Sequence, residues 1–246
     1  MPAASFSARL VSVRDLTPSV REFAFEKEDG PLVHEPGQWL NLDIPREGEA
    51  PLTRAYSIAS PPTDSPRFEL AVTRVSAGPG SQLLHALVPG LSLSASGPNG
   101  FFTRTVNEGV PSLFVGTGTG ITPLRSMLSA AARAGAKEPL ALLVGARAEG
   151  DMLYADELHE LAATYPNVTV SYTLSQPSER WTGLRGYVQD HVPALLEALA
   201  ERGAKGGSGE PHVYICGLEK MVKAVRELTR KQLGLPRERV HSERYD

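Results

Sequence analysis

The spacing of apolar residues changes character at about Pro111, and this change constrains the fold more than any other feature of the chain. Before it, apolar and polar residues alternate in short runs: FSARLVSVRDL, VREFAFE, QWLNLDI, RAYSIAS, RFELAVTRV and LSLSASG. A period of two puts every second side chain on the same face, so each run predicts a half-buried strand. Clusters rich in Pro, Gly and Asp, such as EKEDGP, PREGEAP and SPPTDSP, separate the runs. Short strands with turn signals at regular spacing predict an antiparallel barrel or sandwich. One segment, GSQLLHALVPG, has helical spacing instead.

Beyond Pro111 strand and helix patterns alternate. SLFVG leads into a helix over 121–134, PLALLVGAR into DMLYADELHELAATY, NVTVSYTLS into VQDHVPALLEALAERG, and HVYICG into LEKMVKAVRELTRKQLG. RVHSERY is a candidate last strand. Such alternation predicts a parallel sheet with right-handed crossovers. The expected architecture is therefore two-domain: an antiparallel β-barrel over 1–105 and an α/β parallel-sheet domain over 110–246, joined through FTRTVNEGVP. The stretch 203–211, GAKGGSGEP, reads as a flexible surface loop. A length of 246 residues, 41% of them hydrophobic, suits two cores.

Composition removes several function classes. A net charge of −3 gives no electrostatic case for nucleic acid. The single cysteine, Cys216, excludes a disulfide framework and an all-cysteine iron–sulfur cluster, which takes about four ligands. MPAASFSARLVS has no apolar h-region, and no run approaches the roughly 20 apolar residues of a membrane span. A cytoplasmic protein without membrane attachment is the expectation. No G-x-S-x-G and no H-E-x-x-H occurs, and no metal site is expected.

The stretch VGTGTGITP, 115–123, then stands out, with three glycines in five positions between a strand pattern and a helix pattern. Either the turn is tight or something approaches the backbone closely, and a helix start beyond it would suit an anion. The Lys-Ser/Thr ending of a phosphate-binding P-loop is absent, and Pro123 stands where the third small residue of G-x-G-x-x-G would be. In RAYSIAS, Arg54 could pair with a phosphate, Tyr56 could stack on a flat ring, and Ser57 could hydrogen-bond its edge. The same run also reads as an ordinary barrel strand. VYICGLEKMVKAV, 213–225, ends a buried-type strand in Cys216-Gly217, which in a parallel sheet opens onto the same crevice as the glycine turn. A lone cysteine there is equally a core residue.

Together these motifs resemble the ferredoxin–NADP reductase superfamily over essentially the whole chain. They are R-x-Y-S at 54–57, G-x-x-S at 78–81, G-T-G-T-G-x-x-P at 116–123 and C-G-x-x-x-M at 216–221, with PGQW at 36–39 in support. The resemblance implies an FAD-binding barrel followed by a nicotinamide-nucleotide domain. It implies hydride transfer from NAD(P)H to FAD, then electron transfer to a separate acceptor such as ferredoxin or flavodoxin. Arg54 would pair with the flavin pyrophosphate, Ala55 and Tyr56 would line the isoalloxazine, and Ser57 would sit near flavin N5. Backbone groups of Leu70, Ala71 and Val72 would contact the ribityl chain and phosphate. Gly80 and Ser81 would open a helix onto the pyrophosphate. Gly116, Thr117, Gly118, Thr119 and Gly120, with Pro123 closing the motif, would receive the dinucleotide, Thr119 also lying near the flavin. Cys216, Gly217 and Met221 would border the nicotinamide, so that Ser57 and Cys216 are the expected catalytic pair. Tyr245 would touch flavin or adenine, or else belong to a frayed end. Glu243 would relay a proton or be a solvated surface group.

Members that use NADP carry a Ser-Arg pair after the third strand of the second domain, where this chain has Ser175-Gln176. Arg147, Arg180 and Arg185 lie nearby as substitutes for the missing guanidinium, or as ordinary surface charges. No acidic residue stands at Arg147 to read a free ribose 2′-hydroxyl, so the expectation is NADP, with NAD possible. Two other readings stay open. A free-flavin or cytochrome b5-type reductase fits SGPNGFF at 96–102. A nucleotide-binding regulatory module without catalysis fits the fold alone. A monomer is expected.

Overall fold

The computed structural model describes residues 4–75 and 78–245. The outer ends of the two expected domains, 1–3 and 246, lie outside the described residues, as do 76–77 of the first domain. The N-terminal half forms β1 (Ser5–Thr17), β2 (Val20–Lys27), β3 (Trp39–Arg46), β4 (Glu49–Ser57), β5 (Arg67–Thr73) and β6 (Ser92–Asn99), with one helix, α1 (Pro79–His85). The strands pair antiparallel in the order β4-β3-β6-β1-β2-β5. Alternation decides which side chains meet inside. Phe25 and Phe68 are opposite one another in register and stack with ring centroids 5.6 Å apart, within a core that also holds Leu10, Leu40, Leu42 and Leu70. The edge strands β4 and β5 are drawn together where Ala59 N–H donates to Glu69 C=O at 2.7 Å, which rolls the sheet toward a barrel.

The C-terminal half forms β7 (Ser112–Thr117), α2 (Ile121–Arg133), β8 (Leu140–Ala146), α3 (Ala155–Thr164), β9 (Val168–Leu174), β10 (Leu184–Arg185), α4 (Val188–Lys205), β11 (His212–Leu218), α5 (Glu219–Glu227) and β12 (Val240–Tyr245). All its strands are parallel, in the order β10-β9-β8-β7-β11-β12. The near-continuous apolar runs of β7 and β8 follow from burial on both faces. Strand order reverses at β7, and in open parallel sheets ligands bind beyond the carboxyl end of the strand at such a reversal. The glycine turn occupies that place. It forms a single 3₁₀ turn, Gly118–Gly120, that runs directly into α2. This helix is buried from Ile121 to Ala132, its buried polar residues Arg125 and Ser126 bonded to the barrel.

Three details differ from the sequence reading. α4 continues to Lys205, so the first part of 203–211 is helical, and Gly203 lies close enough to Pro111 that a Cβ would come within 2.6 Å of its ring. β10 is a two-residue strand too short to leave a periodic signal. α5 ends at Glu227 and passes into one wider π turn over Leu228–Gln232.

Two buried arginines join the halves. Arg104, 1% exposed, lies in the connecting segment and donates to Glu138 at 2.8 Å and to Ser112 Oγ at 3.0 Å, while its backbone N–H reaches Pro36 C=O in the barrel. The connection is thus anchored on both sides. Arg125, on α2 and 5% exposed, pairs with Glu157 on α3 and with Glu69 and the Ala59 carbonyl of the barrel. Removing one partner from such a buried pair costs about 3–5 kcal/mol, because the remaining charge stays buried and uncompensated.

Candidate functional site

Two clefts open at the carboxyl end of the parallel sheet, the first at the seam with the barrel and the second within the α/β half. The first, of about 740 Å³, is lined on the barrel side by Arg54, Ala55, Tyr56 and Ser57 of β4, by Ala71, Val72 and Thr73 of β5, and by Gly80 and Ser81 of α1. Thr119, Thr122, Glu243 and Tyr245 line it from the α/β side. The second, of about 570 Å³, runs over the carboxyl ends of the parallel strands past Thr117, Gly118, Gly145, Arg147, Ser175, Leu218, Lys220 and Met221. Leu218 borders both clefts.

The first cleft fits a flavin dinucleotide by its donor set and its space. Arg54 is exposed and lines the cleft, its Nη1 donating to the neighbouring Thr53 carbonyl at 2.9 Å. Gly80 lets the Arg54 stem lie close, since a Cβ there would come 3.2 Å from Arg54 Cγ and Leu52 Cδ2. Ser81 Oγ accepts from Val75 N–H and donates to Gly78 C=O, so its hydroxyl shapes the turn before α1. Burial pushes the Tyr56 phenol up to about 12, which leaves a neutral ring against the cleft wall.

The second cleft fits a dinucleotide at the glycine turn. Gly118 has φ +54 with nothing within 4 Å of its missing Cβ, an open backbone in a conformation that L side chains rarely adopt. The other two glycines of the turn serve packing: a Cβ on Gly120 would lie 2.4 Å from Cys216 C=O, and one on Gly116 would press on Leu124 at 2.9 Å. Gly217, at φ +142, meets Thr117 in the same way, with its Cβ position 2.4 Å from Thr117 Oγ1. The ends of β7 and β11 are therefore in backbone contact, and both causes considered for the glycine turn operate in it.

Tyr245 stands where the clefts meet. Its hydroxyl donates a short hydrogen bond to Ser57 Oγ and lies 3.3 Å from Thr122 Oγ1. The Cys216 thiol lies against it, fully buried, and burial pushes that thiol well above its usual range. Cys216 is thus a neutral thiol beneath Tyr245, not a nucleophile. Glu243 faces the same space from β12, and burial raises its carboxyl to about 7 against the opposing pull of the Ser57 hydroxyl.

The structure gathers most of the residues expected from sequence, but not all. Leu70 points into the barrel core, and the cleft is lined one residue further on by Ala71, Val72 and Thr73. Pro123 is buried within the first turn of α2. Arg147 and Ser175 border the nucleotide cleft, with Arg147 Nε donating to Gln176 at 2.8 Å. Arg180 and Arg185 lie outside the cleft lining, and Arg185 instead donates to the carbonyls of Ser178 and Trp181. Several lining residues left no sequence signal: Thr122, Lys220 and Asp151 sit in ordinary helix or loop patterns. For Gly145 the signal was a glycine ending an apolar strand; a Cβ there would meet Val188 at 2.8 Å.

Known proteins agree with this geometry. Residues 7–103 match the oxidoreductase FAD-binding domain, and residues 114–227 match the oxidoreductase NAD-binding domain. Barrel, parallel sheet and paired clefts define a two-domain flavin- and nicotinamide-dependent oxidoreductase. The chain belongs to the ferredoxin–NADP reductase family. It is 55% identical over 247 residues to ferredoxin–NADP reductase B of Sorangium cellulosum (strain So ce56), across 99% of each chain. It is 30% identical over 233 residues to the toluate 1,2-dioxygenase electron transfer component of Pseudomonas putida, covering 93% of this chain and 64% of that one. It thus spans just under two thirds of that relative's length. The ferredoxin reductase in carbazole 1,9a-dioxygenase superposes with a TM-score of 0.84 at 25% identity, over 100% of this chain and 70% of that one. A Neisseria gonorrhoeae ferredoxin NADP+ reductase with bound FAD and NADP shares the fold, with a TM-score of 0.81 at 20% identity over 98% and 99% of the two chains. No helix among the described residues is long and apolar enough to cross a membrane.

Proposed function

We propose that this chain takes hydride from NAD(P)H onto FAD and passes the electrons to a separate acceptor protein of the ferredoxin or flavodoxin type. One observation carries the reading: the cleft suited to a flavin and the cleft suited to a nicotinamide nucleotide share Leu218, which pairs in register with Tyr245 of the flavin cleft. The relatives support it, since one is a ferredoxin–NADP reductase and another an electron transfer component. A flavin bound there takes up electrons as a hydride pair and can give them up singly.

The protein's own part is binding and orientation. Arg54 and the backbone at Ala71, Val72 and α1 hold the flavin's phosphates, and Tyr56 supports its ring. Gly118 and Thr117 hold the nucleotide's pyrophosphate at the start of α2. Arg147 with Ser175 holds a ribose 2′-phosphate, which favours NADPH, with NADH tolerated. Ser57 offers a hydroxyl at the meeting point, and Glu243, half-protonated near neutral pH, can hold or release a proton beside it. The barrel unit spans 1–105 and the nucleotide unit 110–246, and the protein works as a cytoplasmic monomer.

Anaerobic mixing with NADPH or NADH tests the reading. Flavin absorbance is expected to bleach within the mixing experiment and to recover on adding ferredoxin or flavodoxin. Recovery with cytochrome b5 or free flavin alone would move the protein to the other acceptor class, and no bleaching with either nucleotide would remove the function.

A further inference from the structure

The reaction proposed above needs two parts of the chain to meet at a fixed distance, and one side chain spans the seam between them. Arg125 lies on α2, the helix that begins at the glycine turn. Its Nη1 donates to Ala59 C=O at 2.8 Å and to Glu69 Oε2 at 3.0 Å, both in the barrel. Its Nε and Nη2 grip the two oxygens of Glu157 on α3, each at 2.9 Å. Each barrel partner is two residues from the flavin cleft lining: Ala59 from Ser57, and Glu69 from Ala71. Next to Arg125, Ser126 Oγ donates to Ser60 C=O at 2.8 Å.

The geometry resists tilting. A guanidinium presents its donors in one rigid plane, so bonds on both edges fix its direction. Tyr154 lies against the face of that plane, with the guanidinium carbon 4.4 Å from its ring centroid. A lysine could make one of these contacts but not both edges together.

We infer that Arg125 is a positioning residue that sets the approach of the two clefts, and with it the distance over which hydride moves. This role rests on the function proposed above. The step moves a hydride, two electrons with one proton, from the nicotinamide nucleotide, which is oxidised, to the flavin, which is reduced. Arg125 touches neither; it acts through Ala59, Glu69 and Glu157.

The test compares wild type with Arg125→Gln and Arg125→Lys. At saturating nucleotide, flavin reduction in Arg125→Gln is expected to slow by at least tenfold, since about 1 Å of misplacement costs on the order of 100-fold. Flavin content and nucleotide Kd are expected to stay near wild type, and Arg125→Lys to recover part of the rate. Independently of activity, hydrogen exchange in Arg125→Gln is expected to accelerate at the amides of residues 59–60 and 69–70, with no change in α4. A reduction rate equal to wild type in Arg125→Gln overturns the inference, even if the melting temperature falls. A loss confined to nucleotide Kd overturns it too. If wild type itself is not reduced by either nucleotide, the proposed function fails and takes this role with it. If Arg125→Gln does not fold, Glu157→Gln gives the same reading, because it leaves the barrel bonds of Arg125 in place. There the expected slowing is roughly threefold, the effect of one weakened hydrogen-bonded contact, and an unchanged rate overturns the inference.

Discussion

Tyr245 lines the flavin cleft beside Leu218, which the two clefts share, and on the proposed function its removal should tighten nucleotide binding. The phenol hydroxyl bonds Ser57 and Thr122 and the ring covers Cys216. A nicotinamide ring that reaches Ser57 has to displace it. Each hydrogen bond contributes about 0.5–1.5 kcal/mol net, so displacing both costs roughly 1–3 kcal/mol. On the scale of about 1.4 kcal/mol per decade, Tyr245→Ala should lower the nucleotide Kd by on the order of 10- to 100-fold. Tyr245→Phe keeps the ring and loses both bonds, so it should fall between wild type and Tyr245→Ala. The assay is titration of the oxidised, flavin-loaded protein with NADP+, followed by difference spectra. A Kd that is unchanged or weaker in Tyr245→Ala refutes the reasoning, because the ring would then add to binding rather than oppose it.

Other outcomes follow from the same contacts. Glu243 has a folded-state pKa of about 7, above the ordinary 4.5 of an unfolded carboxyl. The native state therefore binds the extra proton between those values, and stability from this group is lost as pH rises through that window. The melting temperature of Glu243→Gln relative to wild type should climb from pH 5 to pH 7 and then level off; a constant difference would count against it. Gly120→Ala should destabilise by about 1–3 kcal/mol through its clash with the Cys216 carbonyl. Gly118→Ala should cost roughly 1–2 kcal/mol through backbone strain alone, and equal denaturation midpoints for Gly120→Ala and wild type would contradict the packing argument. Arg147→Ala should lower the ratio of kcat/KM for NADPH over NADH by roughly tenfold; a wild-type preference for NADH, or an unmoved ratio, would remove Arg147 as the 2′-phosphate partner. Arg54→Ala should lose flavin on dialysis, since a charge-assisted contact contributes about 1.5–3 kcal/mol, and stoichiometric flavin after dialysis would reject its role.

How far the sequence spoke depends on the range of the interaction. Strands such as VREFAFE and SLFVG were legible because burial on one face or two leaves a period in the chain itself. The candidate residues of β4 and of the glycine turn were legible because their chemistry lies within a few positions. Arg125 was not legible: in α2 it looks like any arginine in an Ala-rich helix, and its partners Ala59 and Glu69 lie in the other half of the chain. The Tyr245 contact with Ser57 joins residues 188 positions apart, so no local pattern could decide between a frayed end and a wall of the site. The reason for Gly120 was hidden for the same cause, since the atom that forbids a side chain there is the carbonyl of Cys216. Arg180 and Arg185 were close in sequence to the nucleotide cleft, yet neither lines it, and Arg185 donates to the carbonyls of its own loop.

Arg104 has a consequence for how the protein melts. Its guanidinium is bound to Glu138 and Ser112 in the second half, while its own N–H is held by Pro36 in the first. Loss of the second half leaves the Arg104 charge without Glu138, and loss of the barrel leaves the Arg125 charge without Glu69, each a loss of about 3–5 kcal/mol. Heating should therefore give one transition, with calorimetric and van't Hoff enthalpies in agreement. A chain cut near residue 105 would carry Arg104 away from Glu138, so the isolated barrel should melt well below the whole protein.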